Sequence, residues 1–239
     1  MTSATTNASG VPIADAPEVR DALIKLDIWL KGQCLKHDLP GLSVGVVHDQ
    51  ELIWSKGYGY ADVANKIPAT DQTLFRVGSI TKTFTATAVM QLVEQGRLSL
   101  EDPVSQHLPW FTPQDADPTQ PVRVWHLLTH TAGLQQNPPG TDWDKLECPD
   151  VTTVSSATRA TPLSIPTQTR PKYSNYGFSV VGELVAQLSG VPYTRYVQEK
   201  VLQPLGMTNS FFLDGTETRP GLAVPYGRRL SGQARGIEQ

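Results

Sequence analysis

The sequence predicts a mixed α/β (α+β) domain, with antiparallel strands near its N-terminus and a run of helices after them. Three observations predict this class. An apolar stripe at helical spacing occupies about 16–37, alternating apolar residues follow between 42 and 60, and several helical patterns come after residue 79. Two early strands followed by several helices suit a sheet and a helical part within one domain.

The N-terminal part is predicted as a leader, a helix and two strands. Residues 1–15 are rich in Thr, Ser, Ala and Asn, so they are predicted as a flexible leader. The helix over about 16–37 ends before Pro40–Gly41, a pair that breaks helical structure. Two antiparallel strands are expected next, because polar turn residues at 48–51 separate two extended runs. The helix and the strands together occupy about 16–63.

The helical part is predicted from apolar periodicity and extends over about 79–205. The strongest helix is expected over 79–94, because its apolar residues recur at helical spacing and Gly96 follows its end. Further helices are expected at about 122–129, 177–188 and 193–202. The stretch 131–169 is rich in Pro, Thr, Ser, Gly and Asp and has no periodicity, so it is predicted as a long irregular segment. Residues 206–239 form a tail.

Composition excludes several classes of function. Twenty basic and 23 acidic residues give a net charge of −3, and no basic stripe exists beyond Arg228 and Arg229, so nucleic-acid binding has no electrostatic support. No apolar run approaches the ~20 residues of a membrane helix. No signal peptide is recognised, so a cytoplasmic location is expected. The two cysteines and five histidines lack metal-ligand spacing, so neither a metal nor another cofactor is predicted.

A serine and a lysine lie three residues apart where the strongest predicted helix begins. Lys82 therefore lies on the same face as Ser79, and its side chain can reach the serine hydroxyl. Serine is a weak nucleophile that loses its proton to a nearby base as it attacks, and neutral lysine can be that base. Gly78 leaves the entering backbone unobstructed, and free N–H groups at the helix start can donate to a developing oxyanion. Because this spacing also arises by chance, it is a weak indication when taken alone.

A second candidate is the tripeptide Tyr173-Ser174-Asn175, which lies just before the helix expected at 177–188. A tyrosine ahead of a helix can share in proton transfer, and an asparagine two residues later points the same way in an extended segment. The Asn175 amide could hold a substrate carbonyl while also bonding a lysine. A turn without any catalytic role is the alternative interpretation of this tripeptide.

Five segments stand in one order: FRVGSITKTFT at 75–85, LVEQGRLSLEDPV at 92–104, HLLTHTAGL at 126–134, YSNYG at 173–177 and PLGMT at 204–208. In kind and order they resemble the serine beta-lactamase-related family of class C beta-lactamases and penicillin-binding-protein-like serine hydrolases and esterases. The resemblance runs from about residue 16 to about residue 228. It implies a beta-lactamase/transpeptidase-like fold, in which a helical domain is inserted into a mixed antiparallel sheet.

The resemblance also implies a role for each of four residues. Ser79 matches the acylated serine, and Lys82 matches its partner base. Tyr173 matches the tyrosine of the proton relay, and Asn175 matches the substrate-orienting asparagine. The implied activity is hydrolysis of a small-molecule carboxylic ester, peptide amide or beta-lactam through an acyl-enzyme. The segment with His130 is implied to be a helix end and turn behind the site, with a catalytic histidine as the alternative.

The family's third motif, a Lys or His followed by Thr or Ser and then Gly, has no match after Asn175. The nearest tripeptide is Leu230-Ser231-Gly232, preceded by Arg229. We therefore expect the chain to be the N-terminal portion of such a hydrolase, without the C-terminal strands and helix. An unpaired sheet edge and an uncovered apolar face should result. The alternative function is that of an inactive truncated remnant or a ligand-binding pseudoenzyme.

Overall fold

A computed structural model describes the chain at residues 10–138, 150–213 and 219–227. These residues form two compact units. The first, called the sheet unit, comprises residues 10–76 and 219–227. The second, called the helical unit, comprises the described residues between 77 and 213. All four predicted site residues belong to the helical unit, so the fold of that unit is what positions them.

The sheet unit begins with a 3-10 turn at Ile13–Asp15 and helix α1 at Pro17–Lys36. Its strands are β1 at Gly41–His48, β2 at Glu51–Asp62 and β3 at Ile67–Pro68. Within the described residues the strands form an antiparallel sheet in the order β1-β2-β3. The predicted helix and antiparallel strand pair are therefore present, and β3 adds a short strand to the polar connector that follows them.

Residues 219–227, which lie in the predicted tail, return to the sheet unit. Leu222 forms a parallel bridge with Leu74. Two residues later, the Val224 N–H donates to the Ala61 carbonyl over 2.8 Å. This part of the tail therefore pairs with the end of β2 and with the segment that follows the sheet.

A polar cluster joins α1 to β2. The Asp27 carboxylate of α1 accepts hydrogen bonds from the Lys56 ammonium and the Tyr58 hydroxyl of β2, each over 2.8 Å. It also pairs with Lys31 of its own helix over 2.9 Å. The contacts with Lys56, Lys31 and Tyr58 hold the pKa of Asp27 well below its usual range. Electrostatic contacts are thus an important link between the helix and the sheet.

The sheet unit leaves much apolar surface uncovered. More than half of the surface is exposed at several large apolar residues of α1, β1 and β2, namely Ile24, Ile28, Trp29, Leu35, Val47 and Leu52. By contrast, Leu30 on the sheet-facing stripe of α1 is buried. These exposed residues lie on α1 and beside the turn between β1 and β2, so the uncovered apolar face expected for the sheet stays a prediction.

The helical unit consists of helices that pack around a central one. In chain order they are a 3-10 turn at Gly78–Ile80, α2 at Thr81–Glu94, α3 at Val104–His107, α4 at Val124–Leu128, α5 at Val151–Ala160, α6 at Asn175–Ser189, α7 at Tyr193–Val197 and a π-helical turn at Gln198–Leu202. Helix α6 is central, because α2, α3, α4, α5 and α7 all contact it. The helices predicted near 79, 122, 177 and 193 are all present.

The core of the helical unit lies where α2 and α4 meet α6. Leu92 of α2, Leu127 of α4 and Leu184 of α6 are fully buried within one apolar cluster. The cluster also includes apolar residues of α5 and α7. Because α6 is apolar along its length and buried on several sides, it fixes the relative positions of α2 and of the segment that precedes α6.

The prediction of an irregular stretch over 131–169 is wrong at helix α5. This helix consists largely of Val, Thr and Ser, which have low helix propensity, although its buried residues Val154, Ala157 and Thr158 recur at helical spacing. One local contact and one tertiary contact stabilise it. The Asp150 side chain caps its first turn by accepting the Thr153 N–H over 2.7 Å, and its buried face packs against α6.

None of the described helices combines the length and the apolarity needed to cross a membrane. Cys34 is a partly buried thiol whose pKa is raised by burial. Cys148, the first nine residues of the predicted leader and the segment Arg228–Gln239 lie outside the described residues.

Candidate active site

Ser79 lies in the 3-10 turn that leads into α2, and it is exposed. The preceding residue, Gly78, has a φ of +50°, a left-handed conformation that strains residues with a Cβ atom. A Cβ atom at Gly78 would meet nothing within 4 Å, so the backbone conformation and not crowding favours glycine here. The turn places the Ser79 hydroxyl at the N-terminal end of α2.

Lys82 follows one turn later and contacts the serine directly. Its Nζ atom donates to Ser79 Oγ over 3.1 Å, as the three-residue spacing predicts. The same atom donates to Asn175 Oδ1 over 2.8 Å. It also lies 4.8 Å from the ring centroid of Tyr173 and 5.5 Å from that of Phe178, within the range of cation–π attraction. Two hydrogen bonds and two aromatic rings therefore hold the ammonium group in place.

Tyr173 contacts the serine from the other side. Its hydroxyl donates to Ser79 Oγ over 2.7 Å. Hydrogen bonding with Lys82, and then with Ser79, lowers the pKa of Tyr173 from its ordinary value. The residue is 45% exposed, so a substrate can reach it. A phenol of lowered pKa exchanges protons more readily at neutral pH, which is a property of general acid–base groups.

Asn175 is the first residue of α6, so this helix begins two residues earlier than predicted. The cause is Ser174, whose hydroxyl caps the helix by accepting the Gly177 N–H over 2.8 Å. The Asn175 amide is oriented at both ends. Its Oδ1 atom accepts from Lys82, and its Nδ2 atom donates to Asn137 Oδ1 over 3.0 Å.

The four predicted site residues therefore meet around one hydroxyl group. Ser79 Oγ is bonded by Lys82 and by Tyr173, while Asn175 fixes the lysine. Such an arrangement can remove the serine proton as Oγ attacks an electrophilic carbon, and it can then deliver a proton to a leaving group. The geometry is typical of nucleophilic catalysis by serine.

Three further residues contact the site, and two of them, Asn137 and Phe178, were not assigned to it from the sequence. Asn137 accepts a hydrogen bond from the Asn175 amide. The Phe178 ring lies near the Lys82 ammonium. The ring centroid of His130 lies 4.5 Å from that of Tyr173. Asn137 stands in the stretch predicted as irregular. The sequence feature that could have pointed to it is the run of amide side chains at 135–137. Phe178 carried no sequence signal for contact with the site, because its partner Lys82 is distant in the sequence. The resemblance had placed the segment of His130 behind the site, and the ring of His130 does pack against Tyr173.

Among the residues that the structure describes, no group of three or more His, Cys, Asp or Glu side chains could hold a metal ion. The segment nearest to the third motif, at 229–232, lies outside the described residues.

Comparison with known proteins gives related sequences and structures. A family model described as Beta-lactamase matches residues 19–236. The esterase EstB of Burkholderia gladioli is 32% identical over 233 residues, which cover 92% of this chain and 59% of EstB. The octameric penicillin-binding protein homologue from Pyrococcus abyssi is 30% identical with a TM-score of 0.74, covering 90% of this chain and 50% of that one. A class C beta-lactamase from Rhodobacter sphaeroides is 27% identical with a TM-score of 0.71, covering 88% and 56%.

The chain spans between 39% and 59% of the length of curated relatives that it matches. The likeness to the solved structures extends over about nine-tenths of this chain, including both of its units. Together with the observed antiparallel sheet and separate helices, it confirms the predicted fold class.

Proposed function

Because the chain belongs to the beta-lactamase family, a family of hydrolases, we propose that it is a serine hydrolase that forms an acyl-enzyme on Ser79. The observation that best supports this proposal is the pair of hydrogen bonds at Ser79 Oγ, from Tyr173 over 2.7 Å and from Lys82 over 3.1 Å. A serine held between two groups that exchange protons is placed for nucleophilic attack.

In the proposed first step, Ser79 Oγ attacks the carbonyl carbon of an acyl donor. A C–O bond forms, and the serine proton passes to the basic form of Lys82 or Tyr173. The same pair gives a proton to the leaving alcohol or amine as its bond to the carbonyl carbon breaks. In the second step, water attacks the acyl-enzyme, gives up a proton to the pair, and releases the acid and the serine hydroxyl. The lowered pKa of Tyr173 supports this role, because it favours the phenolate that accepts a proton.

Asn175 acts in this proposal on both the lysine and the substrate. Its Oδ1 atom accepts from Lys82, and one of its two Nδ2 hydrogens is directed to Asn137. The other Nδ2 hydrogen can donate to an oxygen of the substrate. Because the Lys82 ammonium can only donate, Oδ1 must face it, so the group left for the substrate is the Nδ2 donor.

The proposed substrates are small carboxylic esters, peptide amides and beta-lactams. All three present a carbonyl carbon to an exposed serine and differ in the leaving group. An esterase, a penicillin-binding protein homologue and a class C beta-lactamase stand among the related proteins, which supports these three classes. Parallel assays with a nitrophenyl ester, a D-amino-acid peptide and a chromogenic cephalosporin distinguish them.

Covalent labelling of the purified chain tests the proposal. We expect a fluorophosphonate probe or a penicillin-type probe to form an adduct on Ser79, which peptide mass spectrometry locates. Ser79→Ala should abolish the adduct. Ser105→Ala, which alters an exposed serine of α3, is the matched control and should leave it unchanged. An adduct on another serine, or equal labelling of Ser79→Ala, would contradict the proposal.

A ligand-binding pseudoenzyme is the alternative, and the same experiment separates the two functions. Such a protein would bind a penicillin or a peptide reversibly without any increase in the mass of the Ser79 peptide. Because labelling reports only the first step, it tests the nucleophile independently of how fast the acyl-enzyme is hydrolysed.

A further inference from the structure

His130 forms hydrogen bonds on both sides of Tyr173 with residues 172–174, called the tyrosine segment. Its carbonyl accepts the Lys172 N–H over 2.7 Å, and its ring Nδ1 atom accepts the Ser174 N–H over 3.2 Å. These two amides immediately precede and follow the tyrosine. The imidazole also packs against the Tyr173 ring, with 4.5 Å between the centroids. One histidine therefore fixes both the backbone and the ring that carry the reacting hydroxyl.

The backbone of His130 explains how one residue can make both bonds. It follows α4 and has a φ of +59°, in the left-handed region that few residues other than glycine adopt. The chain turns away from α4 at this point, so the carbonyl faces Lys172 while the ring faces Ser174. A strained conformation of this kind persists only where surrounding contacts hold it. Here the tyrosine segment supplies those contacts.

The hydrogen bond with Ser174 defines the protonation state of His130. A backbone N–H can only donate, so Nδ1 must carry a lone pair, and the single proton of the neutral ring lies on Nε2. Protonation of the ring would place a hydrogen on Nδ1 and remove this acceptor. Burial, and then the positive charge of Lys82, lower the pKa of His130 from its ordinary value near 6.5. The neutral ring is therefore the form present at neutral pH.

The groups around His130 also favour the neutral ring. Helix α2 contributes the Lys82 ammonium, which opposes a second positive charge nearby. The tyrosine segment contributes the Tyr173 phenol and the Lys172 ammonium, which bonds a backbone carbonyl over 3.1 Å. Helix α6 contributes the Phe178 ring, 5.2 Å from the imidazole. None of these groups is a carboxylate that would stabilise a charged imidazole.

We propose that neutral His130 is the positioning residue that holds Tyr173 in reach of Ser79, and that protonation of its ring suppresses acylation at low pH. The inference rests on the proposed function, because it requires Ser79 to be the nucleophile. Loss of the Ser174 bond removes one of the contacts that hold the backbone next to Tyr173. A displacement of about 1 Å in a reacting group can lower a rate by about 10²-fold.

Two substitutions distinguish the effect of the hydrogen-bond acceptor of His130 from the effect of its aromatic ring. In His130→Asn the Oδ1 atom stands where Nδ1 stood along the side chain, can accept the Ser174 N–H, and does not titrate. Asparagine also tolerates the left-handed backbone. His130→Phe keeps an aromatic ring beside Tyr173 but offers no acceptor. His48→Asn, at an exposed histidine of β1, is the matched control.

The readout is the rate constant for Ser79 labelling by the fluorophosphonate probe between about pH 5 and pH 8. At the highest pH, the original chain, which carries no substitution, and His130→Asn should react with the probe at comparable rates. The original chain should then become slower than His130→Asn as the pH falls through the pKa of the histidine. His130→Phe should be about 10- to 100-fold slower at every pH while melting cooperatively. His48→Asn should follow the original chain throughout.

Two results would overturn the inference while leaving the proposed function intact. One is a rate ratio between the original chain and His130→Asn that does not change with pH, and the other is normal labelling of His130→Phe. If Ser79 is not labelled at all, the proposed function fails. Nitrogen NMR of the imidazole then tests separately whether neutral His130 accepts the Ser174 N–H. We expect the Nε2–H tautomer of His130 and a Ser174 amide shift that titrates with it. An Nδ1–H tautomer would contradict the inference.

Discussion

The two units of the chain bury their apolar residues to very different extents. In the helical unit one continuous cluster joins α2, α4, α5, α6 and α7, and Leu92 and Leu184 within it are 0% exposed. In the sheet unit, Leu35 of α1 is 85% exposed and Leu52 of β2 is 60% exposed. The helical unit thus has a well-packed core of its own. The sheet unit depends more on strand pairing and on the polar cluster around Asp27.

This difference shows which part of the chain determines the geometry of the candidate site. Ser79 and Lys82 lie at the start of α2, while Tyr173 and Asn175 lie at the start of α6. Since α2 packs directly against α6, the core that stabilises the unit also sets the distances within the site. Four predictions, in order of decreasing expected effect, test whether the two units differ in this way.

The largest effect is expected at the proton-transfer residues. Lys82→Ala and Tyr173→Phe should each slow Ser79 labelling by about 10²- to 10⁴-fold, the range typical of general acid–base groups. Lys25→Ala and Tyr60→Phe make the same changes in the sheet unit and should leave the rate unchanged. Stopped-flow labelling with mass detection measures all four. A comparable loss of labelling rate in the sheet-unit variants would contradict the inference that the helical unit determines the geometry of the site.

The next effect is expected in the core. Leu184→Ala should lower the free energy of unfolding of the helical unit by about 2–5 kcal/mol, because it leaves a cavity among fully buried side chains. Leu35→Ala removes the same atoms from an exposed position and should change it by about 0.5 kcal/mol or less. Urea unfolding followed by circular dichroism gives both values. Equal losses would show that α1 is buried in solution.

A smaller effect is expected at the N-cap of α6. Ser174→Ala removes the acceptor for the Gly177 N–H and should cost about 1 kcal/mol of unfolding free energy. Ser179→Ala, inside the same helix, is the control and should cost less. Hydrogen exchange in the first turn of α6 should accelerate in the first variant alone. Unchanged exchange there would show that the start of α6 is held by other contacts.

The smallest effect concerns acid stability of the sheet unit. The pKa of Asp27 is lowered in the folded state, so its contacts stabilise this unit above the ordinary carboxyl value of 3.8, and that stabilisation is lost as the pH falls below it. Asp27→Asn should weaken the strands at neutral pH and make little difference in acid. Amide NMR signals of β1 and β2 in urea, compared with those of α6, measure this.

The control for this prediction is Asp21→Asn, at an exposed position of the same helix. It should leave the strand signals unchanged at every pH. Equal weakening of the α6 signals by Asp27→Asn would show that the polar cluster does not act on the sheet unit alone.

The sequence by itself determined the local elements and the chemical types at the site. Apolar spacing predicted α1, the β1–β2 pair and α6, because one buried face leaves a regular period in the chain. The three-residue separation of Ser79 and Lys82 predicted their contact, since both lie on one helical face. The roles of Tyr173 and Asn175 came from the resemblance to a family and stay predictions.

Only the tertiary structure decided which distant groups meet. Lys82 and Asn175 are 93 residues apart, and Ser79 and Tyr173 are 94 apart, so no local spacing could predict their contacts. The two bonds of His130 to Lys172 and Ser174 were undetectable for the same reason. Their stability comes from partners in other parts of the chain. Periodicity reports which face of an element is buried, but only the packing of α2 against α6 specifies what that face touches.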